Sequence, residues 1–221
     1  MPTGSQPTLL LTRPEEDSLR LAASFPGWPV IISPVLRIVP VDHDRSVLER
    51  AQGLVFTSAH AVGPAGPGRG RPALCVGGRT AQAAHEAGYA VMQGNGFAES
   101  LLPLIAASPV PLLHPQGQHV AHRLPVPGVV VYDQLPQPLT ATAQALLAEK
   151  APVVVPVFSP RSARLLSAQA GQAQAPLWLA AISEAARAAW NAPCAREIVA
   201  AEPSVQAMHR AIAQIAEAEQ S

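Results

Sequence analysis

The chain has 221 residues, 48% of them apolar, which is enough for a sizeable core in one large domain or two small ones. Its 15 Lys and Arg balance 15 Asp and Glu, so no basic field exists to hold nucleic acid, and an anionic ligand must be met by local groups. No apolar run approaches the roughly 20 residues of a membrane span, and the start lacks a basic, then apolar, leader pattern, so a cytoplasmic location is expected.

Thr8 to Leu11 reads as a buried strand, and Pro14 with Glu15 and Glu16 opens a helix whose apolar side is read as Leu19, Leu21, Ala22 and Phe25. Arg13 stands in the turn between them, either as a ligand contact or as the partner of the local acids. Val30 to Ile32 is a second strand, and Val35 to Val41 an extended connector. The central stretch follows. Leu54-Val55-Phe56 stops on Thr57-Ser58, a small-residue segment runs to Val62, and a Gly/Pro-rich break leads to Ala73-Leu74-Cys75-Val76. That run stops on Gly77-Gly78-Arg79-Thr80, an Ala-rich segment ends at Gly88, and Tyr89-Ala90-Val91 is a third short run. Continuous apolar runs alternating with helices indicate a parallel sheet covered on both faces. The turns after such strands lie at their carboxyl ends, where open α/β sheets place ligands, and helix-start N–H groups with the hydroxyls of Thr57, Ser58 and Thr80 suit an anion.

The Gly63–Gly70 segment has no Lys-Ser/Thr ending and is no phosphate loop, and Gly94-Asn95-Gly96 reads as a turn. Pro111-Leu112-Leu113 reads as a strand ending at His114. With His119 and His122 this region invites a zinc reading, but no acid or cysteine lies close and the metallohydrolase pattern is absent. A partly exposed helix with a ligand-facing turn is expected there, and no metal. Cys75 lies inside a strand as a small hydrophobe, and neither it nor Cys194 is expected to form a disulfide. The 24 prolines sit mostly between the periodic runs, as loop punctuation.

Val129 to Tyr132 continues as a second connector to Pro136, and Leu139 to Ala148 is a helix. The strand-and-turn layout then returns at Val154–Ser162, at Leu177–Trp190 and at Ile198–Ala201, after which Pro203 opens a helix to Ile212. The two copies are offset by about a hundred residues, which fits a duplicated domain better than a solenoid repeat. The second copy lacks an opening β-α-β unit, which the N-terminus can supply. Two α/β lobes with parallel sheets are expected: a discontinuous one from residues 1–34 and 137–221, and a continuous one over 42–127. Connectors 35–41 and 128–136 are expected to pair as a two-stranded hinge.

These residues resemble the uroporphyrinogen-III synthase family. The resemblance covers nearly the whole chain and rests on Leu11-Thr12-Arg13-Pro14, on Val55 to Val62, on Val76-Gly77-Gly78-Arg79-Thr80-Ala81, on Val131-Tyr132, on Phe158 to Ser162, and on Val199 to Pro203. Each motif is short, but their order and spacing together are specific. The resemblance implies two flavodoxin-like lobes and a cyclisation. Hydroxymethylbilane, a linear tetrapyrrole with eight carboxylates, loses its hydroxyl as water; the azafulvenium attacks the far ring at its substituted position; and the spiro intermediate fragments and recloses with the last ring inverted. It implies no cofactor or metal. A cytoplasmic monomer without nucleic-acid or membrane partners is expected. Tyr132 matches the tyrosine proposed to assist departure of the hydroxyl. Thr80 matches a family threonine in the same strand-to-helix turn, and Arg13 carries over as a carboxylate contact. Thr57, Ser58, Ser159 and Ser162 occupy turns expected to face the cleft, and Thr12 is a further expected substrate contact, with Arg79, His114 and Arg161 as additional candidates. Gln116, where an arginine is common, and Ser183 and Ala186, where Gly and Thr are common, depart from the pattern. The competing expectation is a two-lobed binding or regulatory protein for a polyanion, without turnover. A phosphorelay receiver would need an acidic cluster at the strand ends, which is absent.

Overall fold

A computed structural model describes residues 6–120 and 122–217. The chain divides into two compact units, one of residues 1–37 and 136–221 and the other of residues 38–135.

In the first unit the elements are β1 (Thr8–Leu11), α1 (Glu15–Ala22), β2 (Val30–Ile32), α6 (Ala141–Ala148), β9 (Val153–Val157), α7 (Pro160–Ala170), β10 (Leu177–Ala181), α8 (Glu184–Ala188), β11 (Arg196–Val199) and α9 (Val205–Glu217). The strands form a parallel sheet in the order β11-β10-β9-β1-β2. Strands β9 and β10 are buried along their whole length, which is why they read as unbroken apolar runs. Alternate residues serve opposite faces. Leu10, Val155 and Leu179 join one core, while Leu9, Val154 and Trp178 join the other. Pro156 is tolerated in central β9 because the ladder to β1 ends at Leu9–Val154, before it.

The helix expected after β1 forms, but its buried residues are Asp17, Ser18 and Leu21, and Leu19 is 55% exposed. Two residues span about 200° of a helix, so Leu19 and Leu21 cannot share a face. Asp17 is buried because Arg13 and Arg20 both pair with it. The last helix starts two residues beyond Pro203 and runs to Glu217, with Met208, Ile212 and Ile215 buried.

The second unit contains α2 (Arg45–Glu49), β4 (Gly53–Phe56), a 3-10 turn at Ala59–Ala61, α3 (Val62–Ala65), β5 (Pro72–Cys75), α4 (Gly78–Glu86), β6 (Ala90–Gln93), a second 3-10 turn at Ala98–Leu101, α5 (Leu102–Ala106) and β7 (Leu112–Gly117). Two strands, β3 (Leu36–Pro40) and β8 (Gly128–Pro136), carry the chain across the unit boundaries. They are neighbours in a six-stranded sheet of order β3-β8-β7-β4-β5-β6, so the connectors pair with each other and also extend the sheet. The pairs from β8 to β6 are parallel.

One sequence expectation fails here. His114 to Gly117 is not a turn before a helix; it is the second half of β7, paired with β8, and no helix follows among the described residues up to Gly128. Pro115 and Gly117 read locally as turn residues, but the partner strand holds them extended. His119 and His122 face different acids, Asp133 at 3.5 Å and Glu99 at 3.1 Å. Among the described residues, no group of three or more His, Cys, Asp or Glu is placed to hold a metal ion.

Candidate functional site

In the second unit the turn after β4 and the middle of strands β7 and β8 supply Thr57, Ser58, His114 and Tyr132. Ser58 caps the Ala59–Ala61 turn, its Oγ accepting the His60 N–H at 3.3 Å. The same hydroxyl hydrogen-bonds the Tyr132 phenol. Tyr132 lies in β8 opposite Gly117, at an irregularity in the β7–β8 register. Its ring lies so close to Gly117 that a Cβ there would come within 2.7 Å of Cζ and 3.0 Å of Oη. The His60 ring meets the Tyr132 ring edge-on, centroids 6.0 Å apart. A glycine floor, an imidazole edge and a serine hydroxyl thus fix the phenol. Burial raises its pKa, and the Ser58 bond offsets this only in part, so the phenol keeps its proton at neutral pH and acts as a hydrogen-bond donor.

Thr57 is half-buried, and its Oγ1 lies 2.9 Å from Nε2 of His114. His114 is only 1% exposed, so it reaches a ligand through Thr57 and not directly. Burial pushes its pKa down to about 4 and keeps the ring neutral. The consequence for stability has a definite sign. Between pH 6.5 and about 4 the unfolded chain binds a proton at His114 that the folded chain refuses. Stability therefore falls as pH drops through this window, by up to about 3 kcal/mol, and levels off below it. His114→Gln should remove that component from the pH dependence of the urea midpoint. An unchanged acid limb would contradict it.

Thr80 is buried at the third position of α4, whose N-cap is Gly77 with no side-chain capping bond. The first-turn N–H groups of this helix thus carry no side-chain cap, and Gly77 packs its Cα side against Gly96 of the following turn. Arg79 is exposed on the same turn.

The first unit presents the related turns differently. Ser159 and Ser162 close a reciprocal cap: Ser159 Oγ accepts the Ser162 N–H at 3.1 Å, and the Ser162 hydroxyl donates to the Ser159 carbonyl at 3.0 Å. Ser183 caps α8 by accepting the Ala186 N–H at 3.3 Å, and Ala186 is fully buried, so the helix start that is uncapped at Gly77 is closed here. Thr12 is buried, with its carbonyl accepting the Val35 N–H. Arg13 pairs with Asp17 at 3.2 Å and lies 4.3 Å over the Phe158 ring, so both readings of its turn position keep a partner nearby. Arg161 is half-buried in the first turn of α7. The side chain of Gln116 covers Gly128 of β8, 2.8 Å from where a Cβ would stand.

The sequence reading missed His60 and Gly117. Gly117 carries no local signal, since its role is set by a tyrosine on another strand. His60 does carry one: it stands two residues after the cap Ser58, as Arg161 stands two after the cap Ser159. Aligning the duplicated turns by their caps makes it the counterpart of a site candidate.

The family model for uroporphyrinogen-III synthase (HemD) matches residues 19–210 of this chain. No curated protein sequence gives a match. Two solved structures resemble it across nearly their whole length. The uroporphyrinogen-III synthetase of Helicobacter pylori has a TM-score of 0.59 at 13% identity, covering 95% of this chain and 99% of that one. A mutant uroporphyrinogen III synthase of Thermus thermophilus has a TM-score of 0.52 at 16% identity, covering 97% and 99%. At these identities the structural likeness concerns the fold.

Proposed function

The chain belongs to the uroporphyrinogen-III synthase family and has that function, and we propose that it works as a cyclising lyase on hydroxymethylbilane with Tyr132 assisting the loss of water. The terminal C–O bond breaks with its electron pair on oxygen, the departing oxygen takes a proton from solvent and leaves as water, and one proton is returned when the attacked ring regains its aromaticity after closure. The Tyr132 O–H donates a hydrogen bond to that oxygen as it departs, and the remaining cation closes through the spiro route with inversion of the last ring. The single observation supporting the role of Tyr132 is its confinement: a buried, protonated phenol held between Gly117, His60 and Ser58. A phenol of raised pKa is a poor proton source, so it polarises the leaving group and the main contribution is orientation of a reactive substrate.

The carboxylates of the substrate are met, in this reading, by the uncapped start of α4 with Thr80 and Arg79, and by Thr57 in the second unit. Arg13, Arg161 and the turns bearing Thr12, Ser159 and Ser162 serve in the first. Balanced side-chain charge makes such local donors necessary. No helix among the described residues is long and apolar enough to cross a membrane. A monomer acting in the cytoplasm is part of the proposal. A non-catalytic binding protein is not favoured by the family match.

The test is the rate of hydroxymethylbilane consumption. The purified protein is expected to exceed the spontaneous rate clearly, and Tyr132→Phe to lose roughly tenfold in turnover at saturating substrate, the worth of one hydrogen bond to developing charge. Consumption at the spontaneous rate contradicts the reading, and unchanged turnover in Tyr132→Phe removes the leaving-group role.

A further inference from the structure

We propose that His114 is a positioning residue which, as its Nε2–H tautomer, donates to the Thr57 hydroxyl oxygen and so frees the Thr57 proton for a substrate carboxylate. The inference rests on the synthase reading and deepens it. Thr57 Oγ1 and His114 Nε2 are 2.9 Å apart, and one of them must donate. A neutral imidazole has a single N–H, and a threonine hydroxyl has one proton and two lone pairs. If Thr57 donates to His114, only lone pairs remain to face a ligand, and these repel a carboxylate. If His114 donates, the Thr57 proton is left for the ligand.

The surroundings favour the second arrangement for a polyanionic substrate. His114 is held on β7 at 1% exposure, beneath the turn that follows β4. Thr57 is half-buried in that turn, at the carboxyl end of a parallel strand. Its neighbour Ser58 already accepts the His60 N–H and donates its own proton toward the Tyr132 phenol oxygen, the direction that lowers the phenol pKa. Thr57 is therefore the hydroxyl of this turn that has a proton to offer, provided His114 supplies the other bond.

The tautomer can be read directly by nitrogen NMR on protein labelled with 15N-histidine. The chain has seven histidines, and the His114 signals are identified by their loss in His114→Gln. The expected result is a proton on Nε2 of His114; a proton on Nδ1 overturns the proposal. Kinetics supply the functional arm. His114→Leu is expected to raise KM roughly tenfold, with the loss falling on KM and not on kcat. His114→Gln, whose amide N–H can stand in for Nε2–H, should recover most of it. In a Thr57→Val background His114→Leu should add nothing further. An equal loss in both backgrounds, or no recovery by glutamine, shows a merely structural histidine. If His114→Leu does not fold, the tautomer and the glutamine variant decide. A wild-type protein lacking synthase activity would sink the functional reading while leaving the tautomer legible, so the two failures are separable.

Discussion

Gly117→Ala is expected to lower turnover by roughly 10- to 100-fold, the scale on which small misplacements in an active site act. The added methyl would lie 2.7 Å from Cζ and 2.8 Å from Cε2 of Tyr132, far inside contact distance. The ring has no slack to retreat. Tyr132 is 6% exposed, the His60 ring abuts its edge, and Ser58 holds its hydroxyl. The strain therefore moves the phenol oxygen, the atom proposed to meet the departing hydroxyl. Tyr132→Phe deletes one hydrogen bond and leaves the ring in place, whereas Gly117→Ala shifts the ring and the bond together, so its loss should be the larger. In the double variant the two losses should not add, because both act on one group. Steady-state kinetics with fresh substrate checks this. Unchanged kcat in a folded Gly117→Ala protein would mean that the phenol position is not critical.

Arg71→Ala is expected to destabilise the second unit by about 3 kcal/mol or more. Arg71 immediately precedes β5, and its guanidinium ties three separate segments together. Nη1 reaches the carbonyls of Leu48 at 2.6 Å, Glu49 at 3.3 Å and Ala51 at 3.1 Å, at the end of α2. Nε donates to Gly68 and Nη2 to Pro67 in the Gly/Pro-rich loop. The cation also lies 5.5 Å over the ring of Tyr89, whose hydroxyl donates to Gly66 of the same loop. Removal leaves several carbonyls without a charged donor, and Arg71→Lys should restore only part, since an ammonium cannot span the fork. The aromatic residues provide a built-in readout. Trp28, Trp178 and Trp190 all belong to the first unit, and Tyr89 and Tyr132 to the second. Urea unfolding followed by tyrosine signals should shift to lower denaturant, while the tryptophan transition should move less. A tyrosine transition displaced by less than about 1 kcal/mol contradicts the assignment.

The strands were legible in the sequence where both faces of a sheet are covered, because burial there demands unbroken runs such as Val153–Val157 and Leu177–Ala181. The turns were legible through their hydroxyls, and Ser58, Ser159 and Ser183 all cap the segments that follow. What stayed hidden was set by distant partners. Thr57 and His114 are separated by 57 positions, and nothing local announces their bond. The extension of β7 to Gly117 depends on pairing with β8, against the turn preference of Pro115 and Gly117. Arg71 looks like an ordinary loop arginine until the chain brings five carbonyls to it. Leu19 failed for a simpler reason, since the helical period places it opposite Leu21.

The most direct test of the central claim is the isomer produced. The purified protein is given freshly generated hydroxymethylbilane, the products are oxidised to porphyrins, and the type I and type III isomers are separated chromatographically. Spontaneous closure gives the uninverted type I ring. Product dominated by type III is the result expected of a chain that directs the spiro route. A mixture no richer in type III than the protein-free control, from folded protein, would contradict it and leave a binding protein in its place.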